Sequence, residues 1–394
     1  MLLKGKRWIV SERHLDDWID SYLKYTENSE PKESYRKWAA ISAIASVLQR
    51  KVRLPFGMLT FFPNMYIVLV GPPAACKGTA VAPASKMLDA LGVSMAADES
   101  SRQKLIDRLC KADASHTDKD GNTYFHCSLT IWASELTTFL GFNNMELFSD
   151  LNKWFDCEDR FTYDTHLHGL QEVMSVWVNM LGCTTPDLLQ QSMPQTALGS
   201  GFTSRTVFVY EENRGKIVIW PSGDDALKEL LIQDLGKILT MCGTYKFEEG
   251  VISTYGEWRQ LGIINPPTKD PHLAYYLQRR HVHLLKLCMI FSASRSNDFI
   301  INSIDLDRAI KTLEYAESKM PLVFKGMGAN PLGRVQLQIM KTIGDEKVVS
   351  ISELMQLYHD EVGRDSLGKV IQTLIAMNYC KPDYNVGTLT YIES

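Results

Sequence analysis

The spacing of apolar residues divides the chain into three textures. In residues 11–27, Leu15, Trp18, Ile19, Tyr22 and Leu23 recur at helical spacing behind Ser11, the N-cap candidate. Pro31 opens a second helix through Trp38, Ile41, Ile44, Ala45 and Leu48, which ends in Gln49-Arg50-Lys51. From Asn64 onward, short apolar strands alternate with helices. NMYIVLV reads as a buried strand, and the turn GPPAAC leads into a helix from Lys77 to about Leu91, stopped by Gly92. SLTIWA (128–133), VWVNMLG (176–182) and RTVFVYEE (205–212) read as three more strands. Strands separated by helices predict an α/β core with a largely parallel sheet.

After Pro221 the pattern turns helical, over 223–240, 252–262, 271–294 and 305–323. GMGANPLG (326–333) reads as a linker. Helices at 334–343, 351–358 and 364–377 follow, and YCKPDYNVGTLTYIE closes as a two-stranded ribbon, the order of a winged helix. The expected organisation is an N-terminal helical collar (1–60), an α/β core (61–220), a helical lid (221–325) and a winged-helix domain (326–394).

Charge and cysteine usage narrow the function classes. The formal net charge of −4 excludes a uniformly basic nucleic-acid coat but leaves room for a local basic channel. Residues 1–60 carry eleven Lys/Arg against seven Asp/Glu. A solvated helical face is the expected reading there, with a nucleic-acid contact as its rival. No apolar run approaches the ~20 residues of a membrane span, so no membrane partner is expected. The opening MLLKGKRWIV turns polar after ten residues without a small-residue cleavage site, unlike a secretory signal. Eight scattered cysteines with no CxxC pair argue against zinc and a disulfide framework, and point to a reducing cytoplasm.

The chemistry concentrates at the strand ends. Gly71, Pro72, Pro73, Ala74, Ala75, Cys76, Lys77, Gly78 and Thr79 follow a buried strand and open a helix. In a phosphate-binding loop, consecutive N–H groups cradle the phosphates, the Lys reaches the β/γ-phosphates and a Ser/Thr hydroxyl holds Mg²⁺. Two departures stand out: Cys76 replaces the second Gly, and Gly78 precedes the hydroxyl residue Thr79. Glu135, 58 residues after Lys77, ends the strand LTIWASEL and is the candidate for polarising the attacking water. Ser134 stands where an Asp would organise the Mg²⁺ shell; helix capping is the rival role for Glu135.

Further along, Gly182-Cys183-Thr184-Thr185-Pro186 ends the third strand. Thr184 is the expected water-orienting residue and Thr185 the expected N-cap of a 186–192 helix. Arg205, after the Gly-rich GSGFTSR, is the candidate arginine finger acting on a neighbouring subunit's γ-phosphate, with a solvated strand-start Arg as the rival. DRFTYDTHLHGLQEVMSVW reads as a β-hairpin whose tip carries His166 and His168, candidates for contact with a nucleic-acid backbone.

This order of parts resembles the AAA+ ring ATPases, and more closely the phage-type, MCM-like replicative helicase domains described as primase/helicase. The resemblance spans about residues 32–297 and rests on PNMYIVLVGPPAACKGTA, LTIWASELTTFLG, LFSDLNKWFDCEDRFTY and LGCTTPDLLQQSMPQTALGSGFTSRTVFVYEE. It implies a homo-hexamer with ATP and Mg²⁺ between subunits, and a pore hairpin gripping single-stranded DNA. It also implies a helical lid in which Arg279 or Arg280 matches a second arginine sensor, and it places a phage-encoded protein in the bacterial host cytoplasm. A primase or polymerase would be a separate chain. Residues 331–394 hold six Lys/Arg against eight Asp/Glu, so the winged helix is expected to pack or dock, with Arg364 and Lys369 as its residual DNA contacts. The function expected is an ATP-driven DNA helicase or translocase. Two rivals remain open: an ATP-dependent helicase loader or assembly scaffold, and a catalytically dead ring.

Overall fold

The computed structural model describes residues 13–96, 100–117, 121–141, 144–165, 169–193, 201–325, 331–358 and 363–392. The chain forms two compact units, one running to Phe324 and one from Lys325. The expected collar, core and lid therefore share one unit.

The first helices show why. α1 (Trp18–Tyr25) starts at Asp17, whose side chain accepts from the Asp20 amide, so the cap lies six residues beyond Ser11. α2 (Glu33–Leu48) has small Ala and Ser residues between its large apolar ones, and everything from Trp38 to Leu48 is buried. A helix apolar all round belongs inside a core. It packs on α3 (Lys77–Ala90) and on the central sheet.

That sheet uses β3 (Tyr66–Val70), β4 (Asp113–Thr117), β5 (Thr123–Ala133), β8 (Val176–Thr184) and β9 (Thr206–Tyr210), in the order β4-β5-β8-β3-β9. β5, β8, β3 and β9 run parallel, and β4 returns antiparallel on β5. β3 and β8 are buried at every position, as expected for parallel strands covered on both faces. The registers Val70↔Thr184 and Val70↔Tyr210, with Ala133↔Gly182, bring all four carboxyl ends to one edge. From β3 the chain passes to β5, returns to β8 between them, and then crosses to β9 on the far side of β3. The order thus reverses at β3, and a crevice at such a switch point is where open α/β sheets take ligands.

α4 (Arg102–Lys111), α5 (Leu136–Leu140), α6 (Met145–Phe155) and α7 (Pro186–Ser192) fill the crossovers. β6 (Arg160–Thr165) and β7 (Gly169–Met174) pair antiparallel as the expected hairpin. Its tip, with His166 and His168, lies outside the described residues. Beyond β9 come helices Asp225–Leu239, Val251–Ile264, Ala274–Arg295 and Ser303–Lys319. The last is opened by a capping box between Asn302 and Asp305. β1 (Val52–Phe56) pairs with β2 (Leu59–Phe61) and, joining this region to the N-terminal part, with β10 (Gly243–Thr244); within the region β11 (Lys246–Phe247) pairs with β12 (Ile300–Ile301).

In the second unit, helices Pro331–Glu346, Ile351–Tyr358 and Arg364–Ala376 pack with β13 (Val348–Ser350), β14 (Cys380–Asp383) and β15 (Thr388–Tyr391). The sheet order is β13-β15-β14, so the expected two-stranded ribbon gains a third strand from Val348–Ser350. Ile339, Ile343, Leu354, Leu367, Leu374 and Leu389 form its closed core. Among the described residues no helix is long and apolar enough to cross a membrane.

Candidate functional site

The turn after β3 bends through two left-handed residues, Ala74 (φ 65°) and Cys76 (φ 59°), before α3 begins at Lys77. The Cys76 side chain makes no capping bond to the helix, and its Sγ lies 3.5 Å from Glu30 Oε2. The first-turn N–H groups of α3 have no intrahelical partners by construction. Lys77 folds back over the loop and donates from Nζ to the carbonyls of Gly71 (2.7 Å) and Pro72 (3.0 Å). Burial lowers its pKa, and Cys183 and Glu135 pull it back up. Gly71 is sterically required: a Cβ there would stand 2.4 Å from the Tyr35 hydroxyl and 2.6 Å from the Glu211 carbonyl. A Cβ at Gly78 would meet nothing within 4 Å, and Thr79 is exposed, so this side of the loop is open.

Opposite the loop, Ser134 and Glu135 are exposed at the end of β5. Glu135 occupies the N-cap position of α5 but makes no capping bond, which leaves its carboxylate to the crevice. Thr184, at the end of β8, is buried, and its hydroxyl pairs with that of Thr137 at 3.2 Å. Its carbonyl accepts from Gly71 N at 3.4 Å, which ties it to the loop. Thr185 caps α7 by accepting from Leu188 N. Cys183 lies within the electrostatic reach of both Lys77 and Glu135; burial pushes its thiol up to about 12, so it stays neutral. Lys77, Thr79, Ser134, Glu135 and Thr184 therefore gather at one sheet edge.

These residues suit a nucleotide with Mg²⁺. The cation takes one or two carboxylates plus phosphate oxygens and waters, and Thr79, Ser134 and Glu135 offer two exposed hydroxyls and a carboxylate. Among the described residues no three His, Cys, Asp or Glu side chains cluster to hold a metal by themselves.

Under the loop lies a network that sequence reasoning missed. Glu211, buried at the end of β9, accepts from Ser34 Oγ (2.7 Å), Tyr315 Oη (3.0 Å) and Lys319 Nζ (2.6 Å). The Tyr35 hydroxyl donates to the Val70 carbonyl at 2.7 Å. The helix Ser303–Lys319 is thereby fastened beside the loop. The only hint in the sequence was the acidic end of RTVFVYEE.

At the opposite edge, Arg205 is 9% exposed and not a solvated strand-start residue. Its Nε and Nη2 grip Asp156, and its Nη1 donates to the Gly201 carbonyl at 3.0 Å. Register places it one residue before Thr206, which pairs with the first residue of β3. The five residues of β3, at about 3.3 Å each, separate it from the loop of its own chain. Arg280, one of the two candidates for the second sensor, is buried in a bidentate pair with Glu317 (2.9 and 2.6 Å) and stacks 4.2 Å over Trp258. Its Nε and one N–H of Nη2 are thus spent on a buried carboxylate of its own chain. Its neighbour Arg279 is partly exposed and donates to Asp156 at 3.1 Å, sharing that carboxylate with Arg205. Neither a protein-family model nor a curated protein matches this chain.

Proposed function

We propose that the chain is an ATP-driven, ring-forming AAA+ motor that translocates on single-stranded DNA as a helicase. The carrying observation is the meeting of Lys77, Glu135 and Thr184 at the carboxyl edge, where the strand order reverses. Lys77 and the first-turn N–H groups of α3 would hold the phosphates, and Thr79 and Ser134 would hold Mg²⁺, which would supply positive charge against them. Glu135 accepts the proton of the attacking water, and Thr184 orients that water. Arg205 acts on the nucleotide of the adjacent subunit in a homo-hexamer. The β6–β7 hairpin supplies the DNA contact through His166 and His168, and the second unit serves as a winged helix for packing or for docking a separate primase or polymerase. Purified protein should hydrolyse ATP faster with single-stranded DNA, and Lys77→Ala should abolish turnover. Absence of turnover in the intact protein would refute the motor.

A second reading, a helicase loader or scaffold, draws on the pairing of Arg205 and Arg280 with acids of their own chain. Nucleotide-dependent binding to another replication protein without strand displacement would favour it.

A further inference from the structure

The long helix Ala274–Arg295 carries three residues on one face, at positions i, i+4 and i+7, that meet Asp156, the segment carrying Arg205, and Asn64. Arg279 shares Asp156 with Arg205 at 3.1 Å. His283 lies 3.1 Å by its Nε2 from the carbonyl of Ser204, the residue before Arg205. Lys286 donates to Asn64, whose own amide holds the carbonyls of Phe155 (2.9 Å) and Val178 (3.2 Å). Asp156 follows Phe155 directly, at the C-cap of α6.

A guanidinium has five N–H donors in a rigid fork. On Arg205, Nε and one N–H of Nη2 go to Asp156, and one N–H of Nη1 goes to Gly201. Among the described residues that leaves one donor on each terminal nitrogen. The room for this arrangement comes from Gly201, where a Cβ would stand 2.5 Å from Arg205 Nη1. Arg205 is therefore aimed before any ligand arrives, and its aim is set from two sides: by α6 through Asp156 and by the long helix through Arg279 and His283.

We infer that Asp156 is a positioning residue for Arg205, with Arg279 and His283 of the long helix completing the set. The inference rests on the trans role given to Arg205 above. It adds that the lid helices adjust the finger: Ser303–Lys319 is fastened at the loop through Lys319, Ala274–Arg295 holds the finger, and the two helices pack on each other.

The test uses the full-length assembly and steady-state ATP turnover. Asp156→Asn keeps the shape but cannot hold the fork bidentately as a carboxylate does. It should lower kcat about tenfold to a hundredfold while leaving KM within about twofold, because the phosphate loop is at the other edge. His283→Gln keeps a donor toward Ser204 and should retain most activity, whereas His283→Ala should lower kcat alone. Subunit mixing excludes a mere folding defect. Asp156→Asn subunits mixed with Lys77→Ala subunits should regain turnover, since the second kind supplies a positioned Arg205 to an intact loop; mixing with Arg205→Ala subunits should not restore it. Full kcat in Asp156→Asn beside an inactive Arg205→Ala overturns the inference and leaves the motor standing. Normal hydrolysis by Arg205→Ala removes the trans role itself.

Discussion

The two edges of the parallel sheet treat their charged groups in opposite ways. At the carboxyl edge Thr79, Ser134 and Glu135 are exposed, and Lys77 donates to two carbonyls of its own loop rather than to a carboxylate. At the strand-start edge Arg205, Asp156, Arg279 and Lys286 are bound to one another's neighbours. The difference lies in how each edge satisfies its charged groups. An unpaired buried charge is too costly to keep, so the start edge pairs its charges within the chain, while the carboxyl edge leaves hydroxyls and a carboxylate open to solvent. The sharpest break of this contrast is Glu135→Gln. It should lower turnover 10²–10⁴-fold, the usual worth of a general base, with ATP affinity changed only a few-fold and thermal stability unmoved. Equal loss of affinity and stability would mean that Glu135 is part of the scaffold.

The lid arginines sharpen the contrast next. Arg280→Ala leaves Glu317 buried and unpaired, which costs about 3–5 kcal/mol in comparable buried pairs. A large fall in melting temperature is expected, with KM for ATP unchanged in the folded fraction. Arg279→Ala, at a partly exposed pair, should cost about 1 kcal/mol or less. A higher KM without destabilisation in Arg280→Ala would restore it as a nucleotide sensor.

Such pairs mark the limit of what the sequence disclosed. The strands β3, β8 and β9 and the helices after Pro221 were legible because each is a long run with one period, and Thr185-Pro186 announced its own cap. The four parallel strands followed from alternation with helices. The short strands β1, β2 and β10–β12 were not legible: two- to five-residue segments carry too little pattern, and Val52–Phe56 contains Pro55, which demotes a strand to an edge. Of the site, Lys77, Glu135 and Thr184 could be placed because each ends a readable strand or starts a readable helix. The choice between Arg279 and Arg280 could not, since adjacent residues on a helix point about 100° apart and only packing shows which meets Glu317. The Glu211 network joins residues over a hundred positions apart, a spacing no local motif encodes.

Buried histidines give the start edge a pH signature. His283 and His126 are lowered to about 3, chiefly by burial. His281, lowered to about 4 by burial and then by Arg259, adds in the same direction. A histidine depressed in the folded state stays neutral while its unfolded counterpart gains a proton below about 6.5. The unfolded chain then binds more protons, so stability falls as pH drops through that window. Each of the two fully buried histidines should remove about 1 kcal/mol between pH 7 and pH 5.5, to be read as a falling melting temperature. Glu317, raised by burial, acts oppositely at lower pH. His126→Gln or His283→Gln should flatten the slope by about one proton, and an unchanged slope would place the acid sensitivity elsewhere.

The smallest effect concerns the residue that departs most from a phosphate-loop pattern. Cys76 sits at φ 59°, ψ 28°, a conformation that costs an L-residue about 1–2 kcal/mol and glycine almost nothing. Cys76→Gly removes that strain but frees the unfolded chain, two terms of similar size and opposite sign. Its net change in unfolding free energy should stay below about 1 kcal/mol, with ATP affinity kept. Cys76→Val gains no such relief, because branching at Cβ crowds the left-handed region further, so it should weaken both stability and nucleotide binding. The pair of variants separates backbone shape from side-chain chemistry. If Val were tolerated and Gly were not, the thiol contact to Glu30 at 3.5 Å would be what shapes the loop, and the open character of the carboxyl edge would depend on a side chain rather than on a glycine-like turn.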